Sequence, residues 1–343
     1  MPMAGGEREH GNSAAPTRVV FFGTPDFAVP TLEALAADAQ FDVRLVVTRP
    51  DRPAGRGRKI EHSPVARAAD RLGLPLHQTA SLKSDAARAP LAAAAADVFV
   101  VAAFGLIFGR RTLDLPRRGC VNVHGSLLPK YRGASPVAAA ILSGDHEAGV
   151  TLMAMEPGLD TGPMIATERL PIAAADTTAE LMDRLARAGA SLTLEALPAY
   201  VRGEIAATPQ PRGDASLTRP LSKADGWLDF TQPAVVLERR VRAMWPWPRA
   251  WTTLGEEPLQ IHAASVVPAA VDSAASPGVA IVHDAELFVA TGDGWLRLDL
   301  VQPAGGRPMS GAAFAAGRRL DGVRFGAAAA PLALPPIVTP IDR

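Results

Sequence analysis

Short apolar runs alternate with longer amphipathic stretches along the first half of the chain. The runs are rich in valine, which favours strands, and they lie at 18–22, 43–48, 98–103 and 119–124. Stretches with helical spacing begin near Asp26 and near Ser135. This alternation predicts βαβ units, and therefore an α/β, Rossmann-like catalytic domain with a mostly parallel sheet over residues 17–205.

The second half changes character after a helical stretch at 177–201. Residues 206–220 contain three prolines, a glycine and several polar residues without periodicity, as linkers do. Shorter alternating runs follow, broken by Gly, Pro and Asp, at 259–267, 278–283, 287–291 and 295–301. They predict a smaller, OB-like β-barrel domain at 221–330, with a disordered tail at 1–16 and another tail at 331–343.

Composition favours a folded protein in a reducing compartment. Of the 343 residues, 48% are hydrophobic and 20% are charged, unlike a disordered chain. The single cysteine, Cys120, excludes an internal disulfide, and no Cys/His cluster has zinc-site spacing, so we expect no metal. Residues 1–16 lack the apolar block of a secretory signal, and Asp97 interrupts the most apolar stretch, 91–109. We therefore expect a cytoplasmic protein without a membrane span.

The strongest candidate for chemistry follows the run at 119–124. Residues 122–129 read Asn-Val-His-Gly-Ser-Leu-Leu-Pro, where a predicted strand ends and a loop begins. Ligands of open α/β sheets bind at such carboxyl ends, and alternation places Asn122 and His124 on one face. An amide and an imidazole together suit acyl transfer, because they can donate to an oxyanion and relay a proton. The alternative is a core histidine at a strand end.

Two further segments carry charge in glycine-rich surroundings. Residues 158–162 read Gly-Leu-Asp-Thr-Gly, a tight loop that can present Asp160 to an imidazole, although an aspartate between glycines is often a turn former. Residues 50–59 place four cations among prolines and glycines, which suits contact with phosphates; the alternative is a solvated run of charge. These cations are Arg52, Arg56, Arg58 and Lys59.

Four motifs in one order resemble the methionyl-tRNA formyltransferase family, a branch of the folate-dependent formyltransferases. They are Gly-Thr-Pro-Asp-Phe at 23–27, the basic loop at 50–59, residues 122–129 and residues 158–162. The wider formyltransferases share only the last two, so the basic loop selects this branch. The similarity covers about residues 18–323 and includes Leu-Ser-Lys at 221–223, Pro-Trp-Pro at 246–248 and Ala-Thr-Gly-Asp-Gly at 290–294.

The resemblance implies a reaction and its partners. The donor would be 10-formyltetrahydrofolate, the acceptor the amino group of initiator methionyl-tRNA, and the transfer direct, through a tetrahedral intermediate and without a metal. The carboxy-terminal barrel would help to hold the tRNA, and we expect a monomer.

The resemblance also implies roles for individual residues. Asn122, His124 and Asp160 match the family's catalytic trio, and Arg56 matches an arginine of the loop that enters the acceptor stem. Four consecutive residues match the folate-site segment: Ser126, Leu127, Leu128 and Pro129. The residues expected to bind tRNA are Arg52, Arg56, Arg58, Lys59 and Lys223.

Four positions depart from the family pattern, and two other functions remain open. The departures are Phe104, Ala138, Ala139 and Trp245. A folate-dependent formyltransferase for a small amine would keep the trio but would need neither the basic loop nor the barrel. An RNA-binding module without chemistry would have no reason to keep all three side chains.

Overall fold

The computed structural model describes residues 15–54, 59–267, 275–327 and 334–341. At 52–54 and 59–60 it describes the backbone only. Most of the tail predicted at 1–16 lies outside the described residues, as does the centre of the basic loop. The chain divides into two compact units, residues 1–121 with 194–205 and residues 122–193 with 206–343. The limits expected from the sequence, 17–205 and 221–330, follow a different division and stay a prediction.

Parallel strands form the centre of the first unit. Its strands are β1 (Thr17–Gly23), β2 (Phe41–Thr48), β3 (Arg52–Ala54), β4 (Lys59–Glu61), β5 (Leu76–Gln78) and β6 (Val98–Ala102). Its helices are α1 (Val29–Ala37), α2 (Pro64–Arg71), α3 (Asp85–Ala93) and α4 (Arg110–Leu113). Strands β6, β1, β2 and β5 lie side by side in that order and are parallel. Strands β3 and β4 form a short antiparallel pair.

Aromatic rings fill the core beside β1. The centroid of the Phe22 ring lies 5.2 Å from that of Phe99, 5.3 Å from that of Phe104 and 5.0 Å from that of Phe108. All four side chains are buried. Tilted and edge-to-face pairs of this kind stabilise a core beyond the area that they bury. Phe104 is therefore a packing residue. Its ring carries no hydroxyl that would need a hydrogen-bond partner in this core.

Strand β7 (Cys120–His124) contains the first of the chain positions at which the division between the two units falls. It is followed by β8 (Arg132–Gly133), β9 (Glu147–Ala154), β10 (Met164–Pro171), β11 (Ser216–Thr218) and the helices α5 (Pro136–Ser143) and α6 (Thr178–Arg202). The sheet has the order β10-β9-β7-β6-β1-β2-β5, and its edge strand β10 pairs antiparallel with β9. The mostly parallel, Rossmann-like sheet predicted from the sequence is confirmed.

An antiparallel sheet forms the carboxy-terminal part of the second unit. Its elements are α7 (Ala234–Ala243), β12 (Ala250–Leu254), β13 (Glu257–Val267), β14 (Ala280–His283), β15 (Glu286–Ala290), β16 (Trp295–Pro303), β17 (Met309–Ser310) and α8 (Gly311–Ala315). Five strands follow the order β12-β13-β16-β15-β14, and β17 pairs with β16. Phe325 N donates to Gly278 O at 2.8 Å, and Gly326 N donates to Thr253 O at 2.9 Å. The segment that carries these two amides thus bonds both edges of the sheet and closes it into the predicted barrel.

The segment expected to be a linker contains structure of its own. Strand β11 lies between 206 and 220 and pairs in parallel with β8. Its other edge pairs antiparallel with β18 (Val338–Pro340), which falls in the tail expected at 331–343. Both strands are too short and too polar in pattern to be recognised from the sequence. Among the described residues, no helix combines the length and the apolar character needed to cross a membrane.

Candidate active site

The carboxyl end of β7 presents two polar side chains. Val121 and Val123 are fully or almost fully buried, while Asn122 is half-buried and the alternate residue His124 is 6% exposed. The period of a strand therefore places the amide and the imidazole on one face, as predicted from the sequence. Gly189 permits close packing behind this strand, because an added Cβ would lie 2.7 Å from a Val123 methyl group.

Asp160 reaches this strand end from a tight loop. The residue has a φ of +53°, a left-handed conformation that aspartate tolerates better than most side chains. Gly162 lets the loop approach β9, since a Cβ there would lie 1.9 Å from the carbonyl oxygen of Ala154. Oδ1 of Asp160 accepts from Asn122 Nδ2 at 3.3 Å, and Oδ2 accepts from Gly133 N at 2.8 Å. The loop thus positions the carboxylate beside the amide.

The imidazole of His124 is engaged at both nitrogens. Nε2 lies 3.0 Å from the carbonyl oxygen of Tyr131. Because a carbonyl can only accept, Nε2 carries a proton. Nδ1 lies 3.6 Å from Oδ2 of Asp160. An imidazolium can therefore donate towards both neighbours, whereas the neutral ring has its only lone pair on Nδ1, facing Asp160. The structure brings the three predicted side chains together.

Three further groups shape this site and are missed by sequence reasoning. They are the carbonyl of Tyr131, the backbone amide of Gly133 and the side chain of Gln210. Gly133 offers a signal only in retrospect: its φ is +106°, and a Cβ would lie 2.3 Å from Thr218 O. Gln210 lies between two prolines in the predicted linker, where no pattern distinguishes it.

Residues 126–129 are fixed by hydrogen bonds to other residues of the protein. Ser126 Oγ donates to Lys130 O at 2.7 Å, so its hydroxyl has an internal role. Thr151 Oγ1 donates to Ser126 O at 2.7 Å and accepts from Leu128 N at 3.3 Å. The segment borders a pocket of about 400 Å³, whose described lining residues do not include Asn122, His124 or Asp160. That pocket is distinct from the junction of the three side chains.

The predicted tRNA-binding residues are described to different extents. Arg56 and Arg58 lie outside the described residues. Arg52 is the first residue of β3 and pairs with Glu61, and Lys59 is the first residue of β4 and pairs with Ala54; only the backbone of Arg52 and Lys59 is described. Lys223 is exposed and begins a short 3-10 helix, and its carbonyl accepts from Trp251 Nε1 at 2.9 Å.

The remaining departures from the family pattern are packing residues. Ala138 and Ala139 are buried in α5. The Trp245 ring centroid lies 5.0 Å from that of His262, and Arg249 Cζ lies 5.2 Å from the centre of the Trp245 ring. Burial and the nearby Arg249 charge lower the pKa of His262, which favours a neutral ring against the tryptophan.

Two family models match the chain: Formyl transferase over residues 17–197 and Formyl transferase, C-terminal domain, over residues 220–319. The chain belongs to the formyl transferase family. It is 48% identical to the methionyl-tRNA formyltransferase of Halorhodospira halophila over 303 residues, 88% of this chain and 97% of that protein. It is 50% identical to the methionyl-tRNA formyltransferase of Thiobacillus denitrificans over 312 residues, 90% of this chain and 100% of that protein.

Solved structures share the fold at much lower identity. An N-formyltransferase from Helicobacter canadensis, in complex with folinic acid and dTDP-3-aminofucose, has a TM-score of 0.62 and 17% identity, covering 82% of this chain and 98% of that one. HypX from Aquifex aeolicus, in complex with tetrahydrofolic acid, has a TM-score of 0.55 and 17% identity, covering 89% of this chain and 48% of that one.

Proposed function

We propose that this chain transfers the formyl group of 10-formyltetrahydrofolate to the amino group of initiator methionyl-tRNA and so produces formylmethionyl-tRNA. The observation that carries the proposal is the convergence of Asn122, His124 and Asp160 at the end of β7. Relatives of nearly full length, about half identical to this chain, bear the name of that activity. We place the reaction in the cytoplasm and in a monomer.

The attacking amine must lose a proton during the reaction. A free α-amino group titrates near ~7.7 to 8.0, so much of it is protonated at neutral pH. His124 can accept a proton only at Nδ1, because Nε2–H is directed at the carbonyl of Tyr131. Asp160, 3.6 Å from Nδ1, stabilises the imidazolium that results. The His124–Asp160 pair therefore takes the proton of the amine and returns it to the leaving folate nitrogen.

Asn122 is suited to stabilise the developing oxyanion. Its Nδ2 carries two hydrogens, and one of them is directed at Asp160 Oδ1. The second is available to the formyl oxygen as the amine bonds to the formyl carbon and negative charge moves to that oxygen. A donor that is already oriented needs no reorganisation during the reaction, which is the usual origin of oxyanion stabilisation.

Residues 126–129 can hold the donor by shape. The Ser126 hydroxyl and the Leu128 amide are satisfied internally, so the segment is rigid before any ligand binds. Leu127, which is half-buried, can then contact a flat heteroaromatic ring, while Leu128 and Pro129 are buried. The folate supplies the formyl carbon, and the chain supplies orientation and proton transfer.

The basic loop and the barrel are the proposed contacts for tRNA. Arg52, Arg56, Arg58 and Lys59 offer four positive charges within eight residues. Such a cluster suits a phosphate backbone, and its binding weakens as salt rises. Lys223, exposed at the start of the 3-10 helix, would offer a further positive charge to the RNA.

The test is transfer of labelled formyl from 10-formyltetrahydrofolate to initiator methionyl-tRNA. The wild type should be active, His124→Ala should lose the activity, and Arg56→Ala should raise the KM for tRNA. Arg187→Ala, which removes an exposed arginine of α6, is the matched control for Arg56→Ala and should behave as the wild type. A wild type that binds folate but formylates only small amines would instead identify a small-amine formyltransferase.

A further inference from the structure

Gln210 makes four hydrogen bonds with one side-chain amide. Its Nε2 donates to Asp160 O at 2.8 Å and to Gly162 O at 2.9 Å. Its Oε1 accepts from Arg132 Nε at 3.1 Å and from Arg132 Nη2 at 2.6 Å. Carbonyls only accept and a guanidinium only donates, so the orientation of the amide is unambiguous. Both hydrogens and both lone-pair positions of the amide are used.

These bonds hold the backbone that carries Asp160. The two carbonyls that accept from Gln210 belong to Asp160 itself and to the second residue after it. The loop between them includes Asp160 itself, whose backbone has a left-handed φ of +53°. A shift of this loop would move Oδ2 relative to His124 Nδ1, from which it is 3.6 Å away.

The residue that holds Gln210, Arg132, is next in sequence to Gly133, whose amide bonds the Asp160 carboxylate. Arg132 and Gly133 are the two residues of β8. Arg132 holds Gln210 through its side chain, and Gly133 donates its backbone N–H to Asp160 Oδ2 at 2.8 Å. The loop is therefore fixed to β8 by two routes, one through its backbone and one through its carboxylate.

We propose that Gln210 is a positioning residue that sets the place of Asp160 against His124. This inference rests on the proposed function, in which these two side chains move the proton. Gln210 contacts the reacting groups only through the Asp160 loop. Its loss should act on the chemical step and leave the binding of either substrate largely unchanged.

Three variants separate positioning from other roles. Gln210→Ala removes the bridge, and Gln210→Glu keeps its size and its contact with Arg132 but places a carboxylate oxygen against two carbonyl oxygens. We expect both to lower kcat about 10- to 100-fold, as misplacement of a catalytic group does, with KM for donor and tRNA changed less than about threefold. Gln40→Glu is the matched control, because Gln40 is an exposed glutamine in the turn before β2; it should keep the wild-type kcat.

A double-mutant cycle tests whether Gln210 acts through Asp160. Single-turnover rates are measured for Gln210→Ala, Asp160→Ala and the double variant, with thermal unfolding of each as a check on folding. If Gln210 only positions Asp160, the double variant should be as slow as Asp160→Ala. Effects that multiply, or a Gln210→Glu variant within about twofold of the wild-type kcat, would overturn the inference.

Hydrogen exchange of residues 158–162 gives a readout that does not depend on activity. Amides of this loop should exchange faster in Gln210→Ala than in the wild type, and Gln40→Glu should leave them unchanged. Unchanged exchange in Gln210→Ala would overturn the positioning role. A wild type inactive on methionyl-tRNA would refute the proposed function alone, since faster loop exchange in Gln210→Ala would still support the bridge.

Discussion

Oδ2 of Asp160 lies 3.6 Å from Nδ1 of His124, and the side chains are only 15% and 7% exposed, respectively. In such surroundings a charged pair is screened less by solvent than at the surface. The opposite nitrogen is committed to the carbonyl of Tyr131. The orientation of His124 is thus imposed from two sides.

Asp160→Asn should test the charge of that carboxylate without a change of shape. We expect kcat to fall about 10²- to 10⁴-fold, because a neutral amide no longer stabilises the imidazolium of His124. Single-turnover formylation measures the loss, and thermal unfolding should change little. Asp183→Asn, which breaks a surface pair with Arg187, is the control and should retain full turnover. Equal rates for both variants would refute the role of Asp160.

Asn122→Ala should test the oxyanion donor. Loss of one such donor typically lowers kcat about 10²- to 10³-fold, and we expect a value in this range with folate binding retained. Asn122→Asp should be at least as inactive, because it would place a second carboxylate beside that of Asp160. The amide nitrogen that it replaces lies 3.3 Å from Asp160 Oδ1. Turnover near that of the wild type in Asn122→Ala would exclude the amide from the chemistry.

Asp97 should make the stability of the first unit depend on pH. The hydrogen bond from the Arg18 guanidinium, at 2.9 Å, lowers the pKa of Asp97. The folded carboxyl therefore binds its proton less readily than the unfolded one. Its stabilisation is complete above the ordinary aspartate pKa of about 3.9 and is lost as pH falls through the lowered pKa.

Urea unfolding of wild type and Asp97→Asn at several pH values measures this effect. The wild type should be the more stable protein at pH 7, and the difference in free energy of unfolding should shrink as the pH falls below about 4. A difference that stays constant down to pH 3 would show that Asp97 contributes no pH-dependent stability.

Cys120 should resist thiol reagents in the native protein. The side chain is 2% exposed, and burial raises the pKa of the thiol to about 12. Because the thiolate is the reactive form, labelling at pH 8 should occur only after unfolding, which makes this single cysteine a probe of global stability. Prompt labelling of the folded enzyme by a thiol reagent would contradict this burial.

Strands of the parallel sheet could be predicted because their sequence pattern is local. The runs at 18–22, 43–48, 98–103 and 119–124 became β1, β2, β6 and β7, with ends shifted by no more than two residues. Buried strands read as continuous apolar runs, and such runs need no knowledge of the fold. Strand β10 is largely exposed or half-buried along its length, lacks this signal and was not predicted.

Strand β11 illustrates what local pattern cannot provide. Three residues in a proline-containing segment have no periodicity, and their pairing partners, Arg132 and Gly133 on one side and β18 on the other, are distant in the chain. Only the fold brings them together. The same is true of Gln210, which is 50 residues from Asp160 in sequence.

The sequence by itself determined the class of fold and the barrel, because these depend on apolar periodicity. It also singled out Asn122, His124 and Asp160, because they lie in short contiguous motifs. Tertiary structure alone decided how those side chains are oriented. It placed a carbonyl against Nε2 of His124, and so left Nδ1 as the ring's basic atom; it also supplied the Gly133 amide and the Gln210 bridge that hold Asp160. Hydrogen bonds between distant segments depend on the complete backbone path, and no local pattern encodes that path.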